Sequence, residues 1–260
     1  MKKILFALSF IFLFVFISYM PAFSAYKPPT SDIIVFVDVE GGVRKDISEA
    51  SKVPLFCLYK DGRLLYSTIG EDNLTFLMEV KLDSDGIDRV KSFFSSFEEW
   101  NDIYDDCPLK DMPVVNITAN IDGNVRTFSI RGIDYAMSQK TIPAKLTSFY
   151  RYVAFYSNDE AKEYESEDIY LYVKSAPEPD PNSIYRTIGW RVKINLDSIL
   201  EDSGYSSVAS VKLTGKNAKK AIKCLKYFTP YMTGDLPVFV KQNGKYFSLA
   251  FRPLMPHELK

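Results

Sequence analysis

Lysines recur along one short stretch, Lys216, Lys219, Lys220, Lys223 and Lys226, at spacings of i, i+3, i+4, i+7 and i+10. On an α-helix those positions form a single stripe, and Ala218, Ala221, Ile222 and Leu225 fall opposite it. Five ammonium groups on one face suit an anionic partner: a lipid membrane surface, a cell-wall polymer, or the acidic 158–168 stretch of the same chain. An ordinary solvated helix face is the plain alternative.

Carboxylates are the other abundant reactive type. Glu98, Glu99, Asp102, Asp105 and Asp106 crowd around Trp100. An aromatic ring among carboxylates fits a sugar or a cation, and residues such as Glu99, Asp105 or Asp106 have the acid–base chemistry of a hydrolase. A solvated acidic loop is the competing reading.

Other chemistry lacks its parts. The single histidine, His257, lies three residues from the C-terminus, a poor holder for a Ser-His-Asp or Cys-His relay. No HExxH, CxxC, P-loop or GxGxxG occurs. No metal site and no cofactor are therefore expected. With 32 basic and 33 acidic residues, a net charge of −1, nothing points to nucleic acid. Three cysteines allow one disulfide at most, with Cys57–Cys107 the favoured pairing, while Cys224, beside the apolar side of the lysine helix, reads as a buried thiol.

The elements that must position these groups follow from periodicity. β-Branched and aromatic runs predict strands at Ile33–Val39, Pro54–Lys60, Arg63–Ile69 and Phe76–Leu82, the middle pair joined by the turn Asp61-Gly62. Ile87, Val90, Phe94 and Phe97 are spaced for a helix with Asp85 as N-cap. Strands at Pro113–Ile121 and Val125–Arg131 bracket Asp122-Gly123, and a second helix starts near Pro143. Beyond the acidic 158–168 and Pro-rich 175–183 segments come a strand at Ile169–Lys174, another at Tyr185–Lys193, a short helix at Leu196–Asp202, a strand at Ser206–Leu213, a helix at Lys216–Phe228, and a hairpin around Asn243-Gly244. The stretch from Val80 through Phe97 aligns without a gap on Val211 through Phe228, and Asp111-Met112-Pro113-Val114 recurs as Asp235-Leu236-Pro237-Val238. The expected architecture is an α+β fold, antiparallel sheets covered on one face by helices, in two similar strand–helix–hairpin units over 26–157 and 158–260.

Lys2 and Lys3 precede an apolar run from Ile4 to Met20, then Pro21 and Ala22-Phe23-Ser24-Ala25. That layout predicts a signal peptide over residues 1–25 and a periplasmic, cell-surface or secreted protein. The run is also near the length of a membrane span, so an uncleaved N-terminal anchor is the alternative.

Val53-Pro54-Leu55-Phe56-Cys57-Leu58-Tyr59-Lys60-Asp61-Gly62-Arg63 resembles a P-x-F-x-L-Y-x-D-G-R hairpin, and Phe251-Arg252-Pro253-Leu254-Met255-Pro256-His257-Glu258 resembles an R-P-L-L-P-D-E ending. Together they are similar to a set of bacterial secreted proteins and lipoproteins without assigned activity, in which Trp190 and Cys224 also have counterparts. The chain differs in carrying His257 in place of Asp, no lipidation Cys after the apolar run, and no late Cys as a partner for Cys224. The resemblance implies location and architecture rather than chemistry. The expectation is thus an exported binding protein without catalysis. The alternatives are a carboxylate hydrolase of the envelope and an anchored structural component.

Overall fold

The computed structural model describes residues 32–41, 47, 51–69, 75–180, 187–204, 208–225 and 238–259. The expected signal segment 1–25, Lys226 and part of the Pro-rich stretch lie outside the described residues. Two antiparallel-dominated sheets of eight and five strands carry the helices, which makes the fold α+β.

The first sheet begins with β1 (Ile33–Glu40), β2 (Phe56–Tyr59), β3 (Arg63–Ile69) and β4 (Thr75–Lys81). It is completed by β5 (Ile103–Tyr104), β6 (Val114–Ile121), β7 (Asn124–Arg131) and β8 (Lys162–Glu163), in the order β5-β7-β6-β1-β2-β3-β4-β8. Three helices, α1 (Ser84–Ser92), α2 (Ile133–Gln139) and α3 (Ala144–Ala154), contribute apolar side chains to a core shared with one face of this sheet. Phe56, Leu58, Ile117, Phe128 and Phe149 are fully buried there. The opposite face is not left to solvent. Ile33, Phe36, Cys57, Tyr59, Leu65 and Leu77 form a second cluster with Tyr164 and Met255. Coverage of both faces explains why β2 is apolar without alternation, with all of Phe56-Cys57-Leu58-Tyr59 buried.

The second sheet holds β9 (Ile169–Ala176), β10 (Thr187–Gly189), β11 (Ala209–Leu213), β12 (Val238–Gln242) and β13 (Lys245–Pro253), ordered β10-β12-β13-β9-β11. Its core is closed by α4 (Leu196–Asp202) and α5 (Gly215–Leu225) through Leu196, Leu200, Ala218, Ala221 and Leu225.

Strand–helix–hairpin occurs twice, as β4–α1–β6–β7 and β11–α5–β12–β13. The hairpins dock differently. In the first unit the leading strand β6 pairs with β1, whereas in the second the trailing strand β13 pairs with β9. The acidic 158–168 segment is also shared, since Lys162–Glu163 pairs with β4 of the first sheet.

Two expectations need correction, and three short elements escape the sequence pattern. Helix α1 starts at Ser84, and its cap is Asp83, whose carboxylate accepts the Gly86 N–H at 2.8 Å, rather than Asp85 in the first turn. Helix α2 and the short strands β5 and β8 lack a hydrophobic period long enough to read. The Cys57–Cys107 disulfide is absent, and all three cysteines are free thiols. Cys57 belongs to β2, while Cys107 packs against Gly132 just after β7. With β1 and β6 between them, the two positions are three strand spacings apart, about 14 Å. A disulfide needs Cα atoms within about 7 Å.

The C-terminal segment ties the two sheets together. Arg252 donates to both carboxylate oxygens of Glu258, each at 2.7 Å, and its Nε donates to the Tyr172 hydroxyl at 3.1 Å. The same carboxylate accepts the Met255 N–H at 2.8 Å. The Tyr164 hydroxyl donates to the Leu254 carbonyl at 2.8 Å, and His257 Nδ1 lies 2.8 Å from the Tyr59 hydroxyl on the first sheet. The Arg252 and Glu258 side chains are only 11% and 10% exposed. Burial pushes the Glu258 carboxyl up, but the bonds and charge of Arg252, the Met255 N–H and the charge of His257 outweigh it and hold the group below its ordinary value.

A carboxyl depressed in the folded state contributes stability that is complete above its unfolded pKa and is lost as pH falls through the folded value. Acid should therefore weaken this clasp only below about pH 4.5. At neutral pH, Glu258→Ala leaves the Arg252 charge buried without its partner and is expected to cost about 3–5 kcal/mol in urea denaturation. The variant should also lose part of the acid sensitivity of the parent. A loss under 1 kcal/mol would show that the clasp does not hold the sheets.

Candidate functional site

Three regions have side chains arranged for recognition or chemistry: the acidic loop around Trp100, the lysine face of α5, and a cleft at one end of the first sheet.

The acidic loop is a structural clamp. Arg126 on β7 donates to the backbone carbonyls of Phe97, Glu98 and Trp100 and pairs with the Asp102 carboxylate. Arg131 pairs with Asp105 and donates to the Lys110 carbonyl at 2.9 Å. Trp100 is 8% exposed, its ring 5.3 Å from Phe128 and 6.0 Å from Phe94 between centroids. It is a core residue, which overturns the expectation of a ring offered to a sugar or cation. Asp106 and Glu99 are exposed and Asp105 serves Arg131, so these carboxylates do not converge on a common point. Among the described residues no group of three or more His, Cys, Asp and Glu is placed to hold a metal ion.

Neither Cys57 nor Tyr152 is an activated nucleophile. Burial pushes the Cys57 thiol up to about 12, despite the hydrogen bond with the Tyr59 side chain. A thiol so raised is almost wholly protonated at neutral pH. Burial likewise pushes the Tyr152 hydroxyl up to about 12, where it packs with Phe56, Phe93 and Tyr156. Cys224 was expected to be buried and is instead half-buried at the margin of the second core. Its place on α5 beside Leu225 leaves it at the boundary between the apolar and lysine faces.

Helix α5 matches the sequence pattern closely. Ala218, Ala221 and Leu225 are fully buried, while Lys216, Lys219, Lys220 and Lys223 are exposed. Lys219 pairs with Glu167 of the acidic segment at 3.0 Å, both side chains well exposed. Asp168 accepts the Gly215 N–H at 3.2 Å, so the acidic segment meets the start of this helix. Among the described residues no carboxylate pairs with Lys216, Lys220 or Lys223.

Sequence reasoning did not find the cleft. It has a volume of about 490 Å³ and lies between α1 and the tips of the β2–β3 and β6–β7 hairpins. Ile34 and Ile87 supply its apolar surface, and Lys60, Asp88, Lys91 and Asp122 supply charge. A bulge in β1 creates part of it: Ile33 pairs with Tyr59 but Val35 with Leu58, so Ile34 is the extra residue. As a result Ile34 and Val35 both join the helix-covered core although they are adjacent in sequence. The Asp122-Gly123 tip has φ of +52° and +89°, the two left-handed residues of a tight hairpin turn. Only the turn was visible in the sequence. The convergence of its aspartate with α1 depends on packing.

Compared with protein-family models, curated proteins and solved structures, the chain shows no significant match to any of them.

Two outcomes test these assignments. Trp100→Ala should destabilise the fold by about 3–5 kcal/mol, the cost of emptying a large aromatic site in a core. Wild-type stability for that variant would return Trp100 to the surface. In native protein, an alkylating thiol reagent should label Cys224 first, with Cys57 reacting only after unfolding; peptide mapping of the modified protein reads the order.

Proposed function

We propose that this chain is an exported binding protein without catalytic activity, and that the lysine face of α5 contacts an anionic partner of the cell envelope. The observation that carries the reading is the division of this helix: Lys216, Lys219, Lys220 and Lys223 are exposed while Ala218, Ala221 and Leu225 are fully buried. The corresponding positions of α1 hold Asp85, Asp88, Arg89 and Ser92, so a helix in this place does not need lysines to fold.

Four like charges on one face repel one another, and the Lys219–Glu167 pair relieves only one of them. An anionic surface relieves the remainder. Each lysine near such a membrane contributes about 1 kcal/mol, so four together correspond to a dissociation constant on the order of 1 mM, weak and reversible. Binding of this kind fades as salt shortens the Debye length below about 8 Å. No helix among the described residues is long and apolar enough to cross a membrane.

Sedimentation with anionic and with neutral vesicles tests the proposal. The protein should sediment with anionic vesicles at low salt, release as salt rises, and ignore neutral ones. A Lys219→Glu, Lys223→Glu variant should remain in the supernatant in every case. Equal partitioning of parent and variant would end the membrane reading, and retention of the parent alone on insoluble cell-wall polymer would move the partner to that polymer.

A further inference from the structure

We infer that the cleft between α1 and the two hairpin tips binds a small zwitterion with an aliphatic body, a free amino acid or a short peptide. Its charges set the class. Two ammonium groups, Lys60 and Lys91, and two carboxylates, Asp88 and Asp122, line it together with Ile34 and Ile87. A plain anion entering this space meets two carboxylates, and a plain cation meets two ammonium groups. An apolar molecule offers no partner to any of the four charges. A molecule carrying an ammonium and a carboxylate on an aliphatic frame satisfies both signs and lies against the half-buried Ile87. The volume, about 490 Å³, is within the range of small-molecule sites and holds an amino acid or a dipeptide.

The rim is open to such an exchange. Lys91 and Asp122 are 3.9 Å apart, at the limit of an ion pair, and the Asp122 side chain is 87% exposed. A pair this long and this wet contributes little to the fold, so a ligand can replace either partner at small cost. The backbone of the aspartate is set by the turn, where it occupies a left-handed position with φ of +52°. The bulge in β1 turns Ile34 toward the same space, and bulges commonly re-aim a side chain beside a binding site.

The cleft belongs to the first sheet and the lysine helix to the second, so this inference stands or falls apart from the membrane reading. Amide spectra of the isotope-labelled full chain, titrated with L-leucine and with L-leucyl-L-leucine, test it. At least one of the two should give saturable shifts in residues 84–91 and 120–123 at concentrations up to about 10 mM, the range of weak small-ligand binding. Whichever binds identifies amino acid or peptide. Its N-acetylated and its C-amidated forms should each bind at least about tenfold more weakly, the size of one lost charge contact. Two variants should show the same loss with an otherwise native spectrum: Lys60→Gln, at an exposed site, and Asp122→Asn, which keeps a residue tolerant of the left-handed turn. No saturable shift from either probe, undiminished binding of either blocked form, or unchanged binding in either variant would overturn the inference.

Discussion

The Arg252–Glu258 pair is the contact on which the two-sheet arrangement depends. It closes the C-terminal segment into a rigid loop with both carboxylate oxygens and the Met255 N–H engaged. The loop then presents Leu254 and Met255 to the first unit, where Tyr164 binds the Leu254 carbonyl and Met255 completes the cluster on the back of β1–β4. A buried ion pair contributes modest net stability because desolvation offsets the attraction. Its stronger effect is geometric, since neither charge can tolerate separation in that environment. The pair thereby fixes where the last residues run. It also places the lone histidine: His257 is held against Tyr59 in this loop.

The same logic accounts for two carboxylates of the acidic loop. Arginines on β7 reach back to the segment that precedes them, so Asp102 and Asp105 become anchors for Arg126 and Arg131. With its guanidinium 5.2 Å from the Phe128 ring, Arg126 also roofs the aromatic core that contains Trp100. A loop that looks acidic and reactive in sequence is in this way the outer wall of the first core. Exposed charge is positive on α5 and of mixed sign around the cleft.

Much of the scaffold was readable because its signals are local. Strand Arg63–Ile69 and helix Leu196–Asp202 coincide with their expected bounds, and the turns at Asp61-Gly62, Asp122-Gly123 and Asn243-Gly244 occur where left-handed backbone was expected. Side-chain alternation along a strand, 3.6-residue spacing along a helix and tolerance of positive φ are properties of neighbouring residues. The lysine face of α5 was legible for the same reason. Helix α2 and strand β5 were not, being too short to display a period.

Composition and periodicity determined the α+β class, the hairpins and the polarity of α5. Tertiary structure alone decided the rest: that Trp100 is core, that Cys57 and Cys107 stay apart, that the two hairpins dock in opposite orders, and that Ile34, Lys60, Asp88, Lys91 and Asp122 meet in one cleft. Each of these depends on which strands become neighbours across long stretches of chain. Strand pairing is chosen by the sum of many burial and ion-pair contacts, and no single segment of the sequence carries that sum.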